Sequence, residues 1–221
     1  VGDFIYNLSG SAFRSRRISA DTVERSDEDP ATGALRRDEV ETSRGEDRRL
    51  GANLSGRLQW RFDSGVLLLM PVVFHSQTES RRDAAIAQRA GTLPPLYDHA
   101  ATAGDGRFTV ARVNANWRGA LGQGTRLDAN AGIANAQGAN TSTRREFDAA
   151  GALLRTTLDD GTTRERTLSA SAKLSRLLDG DHSLVGGAEV ETVRRSETRV
   201  TLQDGAPLLG EFGDDVRASN L

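Results

Sequence analysis

Apolar and polar residues alternate along most of this chain with the two-residue period of a β-strand, in which successive side chains point to opposite faces. Residues 50–63 show it best. Leu50, Ala52, Leu54, Gly56, Leu58, Trp60 and Phe62 hold one parity, and Gly51, Asn53, Ser55, Arg57, Gln59, Arg61 and Asp63 the other. Seven such segments are predicted, at about 4–14, 50–63, 66–79, 108–118, 125–136, 164–177 and 183–199. Ile5 and Phe13 break the alternation of the first. In the third, Val66, Leu68, Met70, Val72 and Phe74 share a parity, while the other parity begins apolar and ends in His75, Gln77 and Glu79.

The connections alternate in length. Ser64-Gly65, the glycine-rich 119–124 and Asp179-Gly180 predict tight turns. Between them lie long polar stretches at roughly 15–49, 80–107, 137–163 and 200–221. Residues 15–48 carry seven arginines and ten acids, so this segment is expected to stay solvated. Compact soluble domains rarely mix turns of a few residues with connections of about thirty. Outer-membrane barrels do, with short periplasmic turns and long outer loops. Loop tips can be hairpins that extend the strands, and 152–168 reads as two short strands around Asp160-Gly161, with Gln203-Asp204-Gly205 as a further turn. A faint echo between 31–40 and 149–158 fits repeated hairpin chemistry. The fold expected is all-β: an antiparallel up-and-down section of a transmembrane barrel, about seven strands, occupying 1–221 as one incomplete barrel domain without a plug.

Composition changes the picture little. The 221 residues have a formal net charge of −2, which gives no reason to expect nucleic acid. Mean hydropathy is −0.49, yet half of every barrel strand is polar, so the value does not exclude a membrane. There are no cysteines, hence no disulfide and no thiolate metal site. No apolar run approaches the roughly 18 residues of a membrane helix. Phe4, Tyr6, Trp60, Phe62 and Trp117 gather at the short-turn ends, as an interfacial aromatic girdle would, and Phe74 is a candidate for the opposite girdle.

Candidate chemistry is sparse. His75 stands beside Ser76 and near Glu79, but adjacent strand residues face opposite ways, so a catalytic pair is not expected. His99 lies in a long stretch beside Asp98, and His182 in a turn. The run Ser26-Asp27-Glu28-Asp29 reads as solvated charge rather than a calcium site. No catalytic, cofactor or metal residues are assigned, the chain is expected not to be an enzyme, and ligand-binding residues stay undefined. Arg57, Arg61, Arg112, Arg126, Asp128, Lys173, Glu189 and Glu191 are expected on one polar wall, lining a lumen or simply facing water. Arg16, Arg17, Arg36 and Arg37 are candidates to recognise anionic chelates from a loop.

Several segments resemble TonB-dependent outer-membrane receptors. ANLSGRLQWRFDSGVLLLMPVV at 52–73 resembles a barrel hairpin of that family, DHSLVGGAEVETVRRSE at 181–197 is similar to another, and GDFIYNLSGSAFR at 2–14 also fits. GDDVRASNL at 213–221 resembles the lead-in to a following strand beyond the chain. The resemblance implies a 22-stranded barrel with an N-terminal plug, set in the bacterial outer membrane among membrane lipid and lipopolysaccharide. It implies TonB-energised uptake of a metal chelate such as an iron–siderophore complex, or of another scarce small molecule. The TonB complex would act through a plug domain not in this chain. Alternatives are a passive porin or autotransporter-type barrel, an outer-membrane hydrolase, or a soluble β-sandwich adhesin.

Overall fold

In a computed structural model, residues 2–122, 124–178, 180, 182–208 and 212–220 are described, the last segment by its backbone. The strands are β1 (Asp3–Glu28), β2 (Leu35–Phe62), β3 (Gly65–Ala90), β4 (His99–Gly122), β5 (Thr125–Phe147), β6 (Leu153–Leu177), β7 (Ser183–Gln203), β8 (Ala206–Pro207) and β9 (Phe212–Asn220). They form a single antiparallel sheet in which β1 to β7 follow one another in sequence order. β7 then pairs with both β8 and β9. The expected all-β, up-and-down arrangement is therefore the architecture of this chain. With β1 and β9 as its edges, the sheet is an open strip of the kind that makes a section of barrel wall.

Two expectations about length are corrected. The seven main strands run 21 to 28 residues, well beyond the predicted spans. Most residues read as long loops are strand, and the connections at that end shrink to 29–34, 91–98, 148–152 and 204–205. Residues 15–48 are polar but not irregular, because cross-strand ion pairs accommodate their charge. Arg16 meets Glu46 at 2.8 Å and Arg25 meets Glu41 at 2.6 Å. The contrast in connection length is thus an overhang of hairpins at one end of the sheet. Residues 212–220, expected only to lead toward a strand, are themselves β9.

The turns follow side-chain chemistry. Asp29 accepts hydrogen bonds from the Ala31 and Thr32 amides at 2.9 and 3.2 Å, and Gly33 takes φ 67°. Asp148 accepts from the Ala150 and Ala152 amides at 2.9 and 2.8 Å, and Gly151 takes φ 81°. The echo between 31–40 and 149–158 is this shared device: an Asx-type turn, a left-handed glycine, then Ala-Leu entering the next strand. The turn expected at Asp160-Gly161 is not there. Both residues lie inside β6, opposite Thr141 and Asn140 of β5 and Val200 and Arg199 of β7. Strands paired on both sides leave the dipeptide no freedom to turn. Asp204 and Gly205 do turn the chain, at φ 51° and 84°. The first short turn is Asp63-Ser64, one residue earlier than the expected Ser64-Gly65, because Gly65 already pairs as the first residue of β3; Gly180 turns as expected, β4 continues to Gly122, and Gln123 and Asp179 lie outside the described residues.

Register fixes two faces. The apolar face carries the even positions of β1, β2, β6 and β7 and the odd positions of β3, β4 and β5. One register row on it reads Tyr6, Leu58, Leu69, Ala115, Ala131, Ala170, Val190. The apolar residues fill the half of this face nearest the short turns, and many stand open to the outside, Tyr6 at 66% and Leu8 at 62% exposed. The long-turn half is polar on both faces.

Candidate functional site: the polar wall and its pinned loop

The apolar band runs obliquely across the register rows. Its last apolar residue is Leu50 on β2, Val73 on β3, Ala111 on β4, Ile133 on β5, Leu168 on β6 and Val190 on β7. The row of Val190 meets β2 at Leu58, eight residues short of Leu50. The margin therefore retreats eight residues over the five steps from β2 to β7, about 1.6 residues per strand and in uneven steps. Strands spaced about 4.8 Å and tilted by about 35–45° would shift a horizontal boundary by about 1–1.4 residues per strand. Phe4, Tyr6, Trp60, Phe62 and Trp117 all lie on this face at its short-turn margin. Phe4 packs on Trp60 at 4.8 Å and Phe62 on Trp117 at 5.8 Å between ring centroids.

The opposite face carries all eight of Arg57, Arg61, Arg112, Arg126, Asp128, Lys173, Glu189 and Glu191. They share a wall without forming one cluster. Asp128 pairs with Arg118 at 2.6 Å and with Arg126 at 3.8 Å, and stands in register with Lys173. In the adjoining row Asn116 donates to Asn130, which donates to Ser171 at 3.1 Å, a polar ladder across β4, β5 and β6. β3 departs from the pattern: Val66, Leu68, Met70 and Val72 make an apolar stripe on the polar face. Phe74 belongs to that face too, so it is no part of an outer girdle. It stacks on Phe13 at 6.3 Å and meets Phe108 at 6.2 Å, and the Arg49 guanidinium sits 5.7 and 5.9 Å from the Phe13 and Phe74 rings. A methyl group on Gly51 would meet the Phe13 ring at 2.5 Å, so the cluster depends on glycine there.

Above this cluster, the connection between β3 and β4, residues 91–98, folds down onto the polar face. Ala84 and Ala100 stand opposite each other in register, and their small side chains leave room for the Tyr97 ring, which is 4% exposed. The Tyr97 hydroxyl donates to Glu41 Oε2 at 2.6 Å and accepts from Arg144, whose guanidinium carbon lies 5.0 Å from the ring centroid. Arg144 and Arg155 both reach Glu146, each through its Nε at 2.8 Å. Leu93 accepts from Gln88 at 2.7 Å and Pro94 from Arg37 at 3.1 Å through their carbonyls, holding the rest of the loop. Burial alone would raise Glu41, but the Tyr97 and Arg25 hydrogen bonds hold it below the ordinary carboxylate value. Burial, then the bond to Glu41, pushes Tyr97 above the ordinary phenol value of 10.0. Glu39, 1% exposed, has Arg37 Nε at 3.3 Å but no hydrogen bond to either oxygen.

The other candidates are dispersed. His75 lies on the apolar-face side against Thr109 Oγ1 at 2.7 Å, while Ser76 on the polar face accepts from Arg49 at 3.2 Å. His99 stacks on Phe147 at 4.8 Å and lies 3.4 Å from Asp98. The backbone carbonyl of His182 accepts from Leu178 at 2.8 Å. Arg16 and Arg17 sit far down the β1–β2 hairpin from Arg36 and Arg37, and each pair splits between the two faces, so the four do not make one anion site. The sequence reading missed Tyr97, Glu39, Glu41 and Glu146. The usable signal was Pro94-Pro95-Leu96-Tyr97, an apolar and aromatic stretch in an otherwise polar connection.

No family model matches the chain, and no curated protein matches it in sequence. Among solved structures, the ferric yersiniabactin uptake receptor FyuA from Yersinia pestis is similar with a TM-score of 0.31 and 12% identity, over 98% of this chain. The chain spans 42% of the length of that receptor.

Proposed function

We propose that this chain forms part of the wall of an outer-membrane transport barrel, with the apolar band in the lipid and the polar face toward the lumen. The oblique band carries the reading. A soluble sandwich would bury its apolar face against a second layer, with no reason for a boundary that descends at the pitch of tilted strands. The short turns would face the periplasm and the overhanging hairpins the exterior. The finer reading is a TonB-energised receptor that captures a metal chelate or another scarce nutrient. Its support is the resemblance of 2–14, 52–73 and 181–197 to barrel hairpins of such receptors. The test is uptake of a panel of radiolabelled ferric chelates by cells with and without the gene, in strains with and without TonB. Uptake that needs the gene but not TonB would sink the receptor reading and leave the barrel.

One observation favours a second reading, a passive diffusion barrel. The 91–98 loop lies on the polar face, pinned by Tyr97, where it would narrow a lumen. Stable single-channel conductance in a planar bilayer without any energy source would support it.

A further inference from the structure

On the polar face, one strand breaks the rule of its neighbours. Val66, Leu68, Met70, Val72 and Phe74 of β3 make a continuous apolar stripe about 27 Å long, at about 3.4 Å per residue. Phe13 and Phe108 widen it at the end away from the short turns. The stripe is half-buried between β2 and β4, and among the described residues no second layer covers it; the 91–98 loop seats farther out, on Ala84 and Ala100. An uncovered apolar strip rimmed by polar groups is the mark of a binding surface. This rim is cationic. Arg112 stands in register with Val72, and Arg57 falls between Ser55, opposite Val72, and Leu58, opposite Leu69. Arg49 sits at the far end, over the Phe13 and Phe74 rings. The three hydrogen-bond only neutral groups: Arg49 donates to Ser76 at 3.2 Å, Arg57 to Gln59 at 3.5 Å and Arg112 to Asn114 at 3.1 Å, and none forms an ion pair among the described residues. No register partner of Leu68, Met70, Val72 or Phe74 on β2 or β4 is a carboxylate. Nearer the short turns the rim is neutralised, where Arg118 pairs with Asp128 at 2.6 Å.

From this juxtaposition we propose that the stripe is a track for amphiphilic monocarboxylates of the long-chain fatty-acid kind, the chain lying along β3 and the carboxylate held by Arg49, Arg57 and Arg112. The inference rests on the lumen-facing placement of the polar wall proposed above, and it names a substrate class for that wall. A guanidinium fork matches a carboxylate in a bidentate way, and its weak hydration lets it work beside apolar surface. A small polar anion would use the arginines and leave the stripe in water. A neutral chain would use the stripe and leave three charges without a counter-ion. A molecule with both parts uses both.

The test is photolabelling of the whole protein in native outer membranes, with palmitate carrying a mid-chain diazirine and with the matching fatty alcohol. Fragmentation mass spectrometry assigns the adducts to single residues of β3, where even positions report the stripe and odd positions the apolar band. Palmitate should label Met70, Val72 or Phe74 about tenfold more than the alcohol does, the size of one charge-assisted hydrogen bond. Leu67, Leu69 and Val73 should take both probes equally. Arg57→Gln with Arg112→Gln should abolish the preference, and Arg107→Gln, on β4 but facing the other way, should leave it intact. Folding is checked by heat-modifiable gel mobility; if the double variant does not fold, Arg112→Gln takes its place, and the comparison of acid with alcohol needs no variant. Even-position labelling that is equal for the two probes, or a preference that survives the double variant, would overturn the proposal. So would a lack of even-position adducts beside normal odd-position ones; a Met70→Cys thiol shielded from a water-soluble maleimide would then give the stripe to a protein segment packed in the lumen. A lack of adducts at the odd positions would instead overturn the membrane reading beneath it.

Discussion

The two ends of the same strands obey different rules. Near the short turns, β2 offers Leu54, Leu58 and Trp60 to one side and Asn53, Arg57 and Gln59 to the other, and among the described residues no second layer covers the apolar side, where Leu54 is 54% exposed and Trp60 packs sideways on Phe4. Near the long turns, the same strand carries Glu41 and Glu46 and satisfies them with Arg25 and Arg16 of β1 and with Tyr97, while Glu39 has only Arg37 of its own strand beside it. On the proposed reading, the first half depends on a lipid solvent that the chain does not supply. The second brings its partners with it. The backbone pairing runs through both, although the β2–β3 register skips Gly56 and Arg57 near Pro71 and shifts between Asp38 and Glu39, so the difference lies mainly in side chains and surroundings.

The largest effect expected is on the band itself. Ala115 and Ala103 share β4 and the same face, the first in mid-band and the second in the overhang. Ala115→Arg should destabilise the folded protein in lipid vesicles by about 2–4 kcal/mol, the cost of a charge at the bilayer midplane, and Ala103→Arg by about 0–1 kcal/mol. Denaturant unfolding followed by heat-modifiable gel mobility measures both. Equal effects would erase the distinction between the two ends and the membrane reading with it.

Next is the pinned loop. Tyr97→Phe keeps the ring on Ala84 and Ala100 but removes the hydroxyl between Glu41 and Arg144. A buried partner left unsatisfied costs about 1–3 kcal/mol. Hydrogen exchange of the backbone amides of 91–98 should accelerate, while the amides of β2 to β5 in the band keep their protection. Slow exchange in the loop of the variant would mean that the Gln88 and Arg37 bonds to its carbonyls hold it unaided. Smaller again is Gly151→Ala. At φ 81° a side chain adds roughly 1–2 kcal/mol of strain, confined to the β5–β6 tip and measurable as a lowered unfolding midpoint.

How much of this was legible in the sequence divides along the same line. Period-two alternation revealed the strands wherever one face is apolar, and it put all eight wall charges on one face. It failed in the overhang, where both faces are polar and alternation carries no contrast; residues 15–48 therefore read as loop. Asp160-Gly161 misled because the signal for a turn is local and the pairing that overrides it is not. The true tip at Asp148 and Gly151 had a comparable local signal, an aspartate followed by a glycine before an apolar pair. Phe74 was misassigned because β3 is apolar on both sides, so parity alone could not say which face was which; only its register with β2 and β4 does. Tyr97 could not be placed from sequence, since its seat is built from Ala84 and Ala100, two unremarkable alanines on different strands.

The finest test concerns charge at the outer margin. Hydrogen bonds from Arg16 and then Arg48 pull the Glu46 carboxyl down from 4.5 to about 2. A depressed carboxylate contributes stability that is fully present above its unfolded value and lost as pH falls through the folded one, so the contribution should fade between about pH 4.5 and pH 2. Glu46 is solvent-accessible and the effect on global stability is small, screened by water and salt. Its titration is the sharper readout. Carbon-13 NMR of labelled glutamate in micelles should show one carboxyl with a midpoint near 2 that moves up toward 4.5 when Arg16 and Arg48 are both changed to glutamine. Arg25→Gln should leave that carboxyl alone and instead raise Glu41, which loses one of the two hydrogen bonds that oppose its burial. If the two carboxyls respond to each other's arginines, the overhang is one coupled network rather than two separate sites on opposite faces. That result would also weaken the proposed division of labour between a lipid-facing margin and a lumen-facing loop, because the same charges would then serve both.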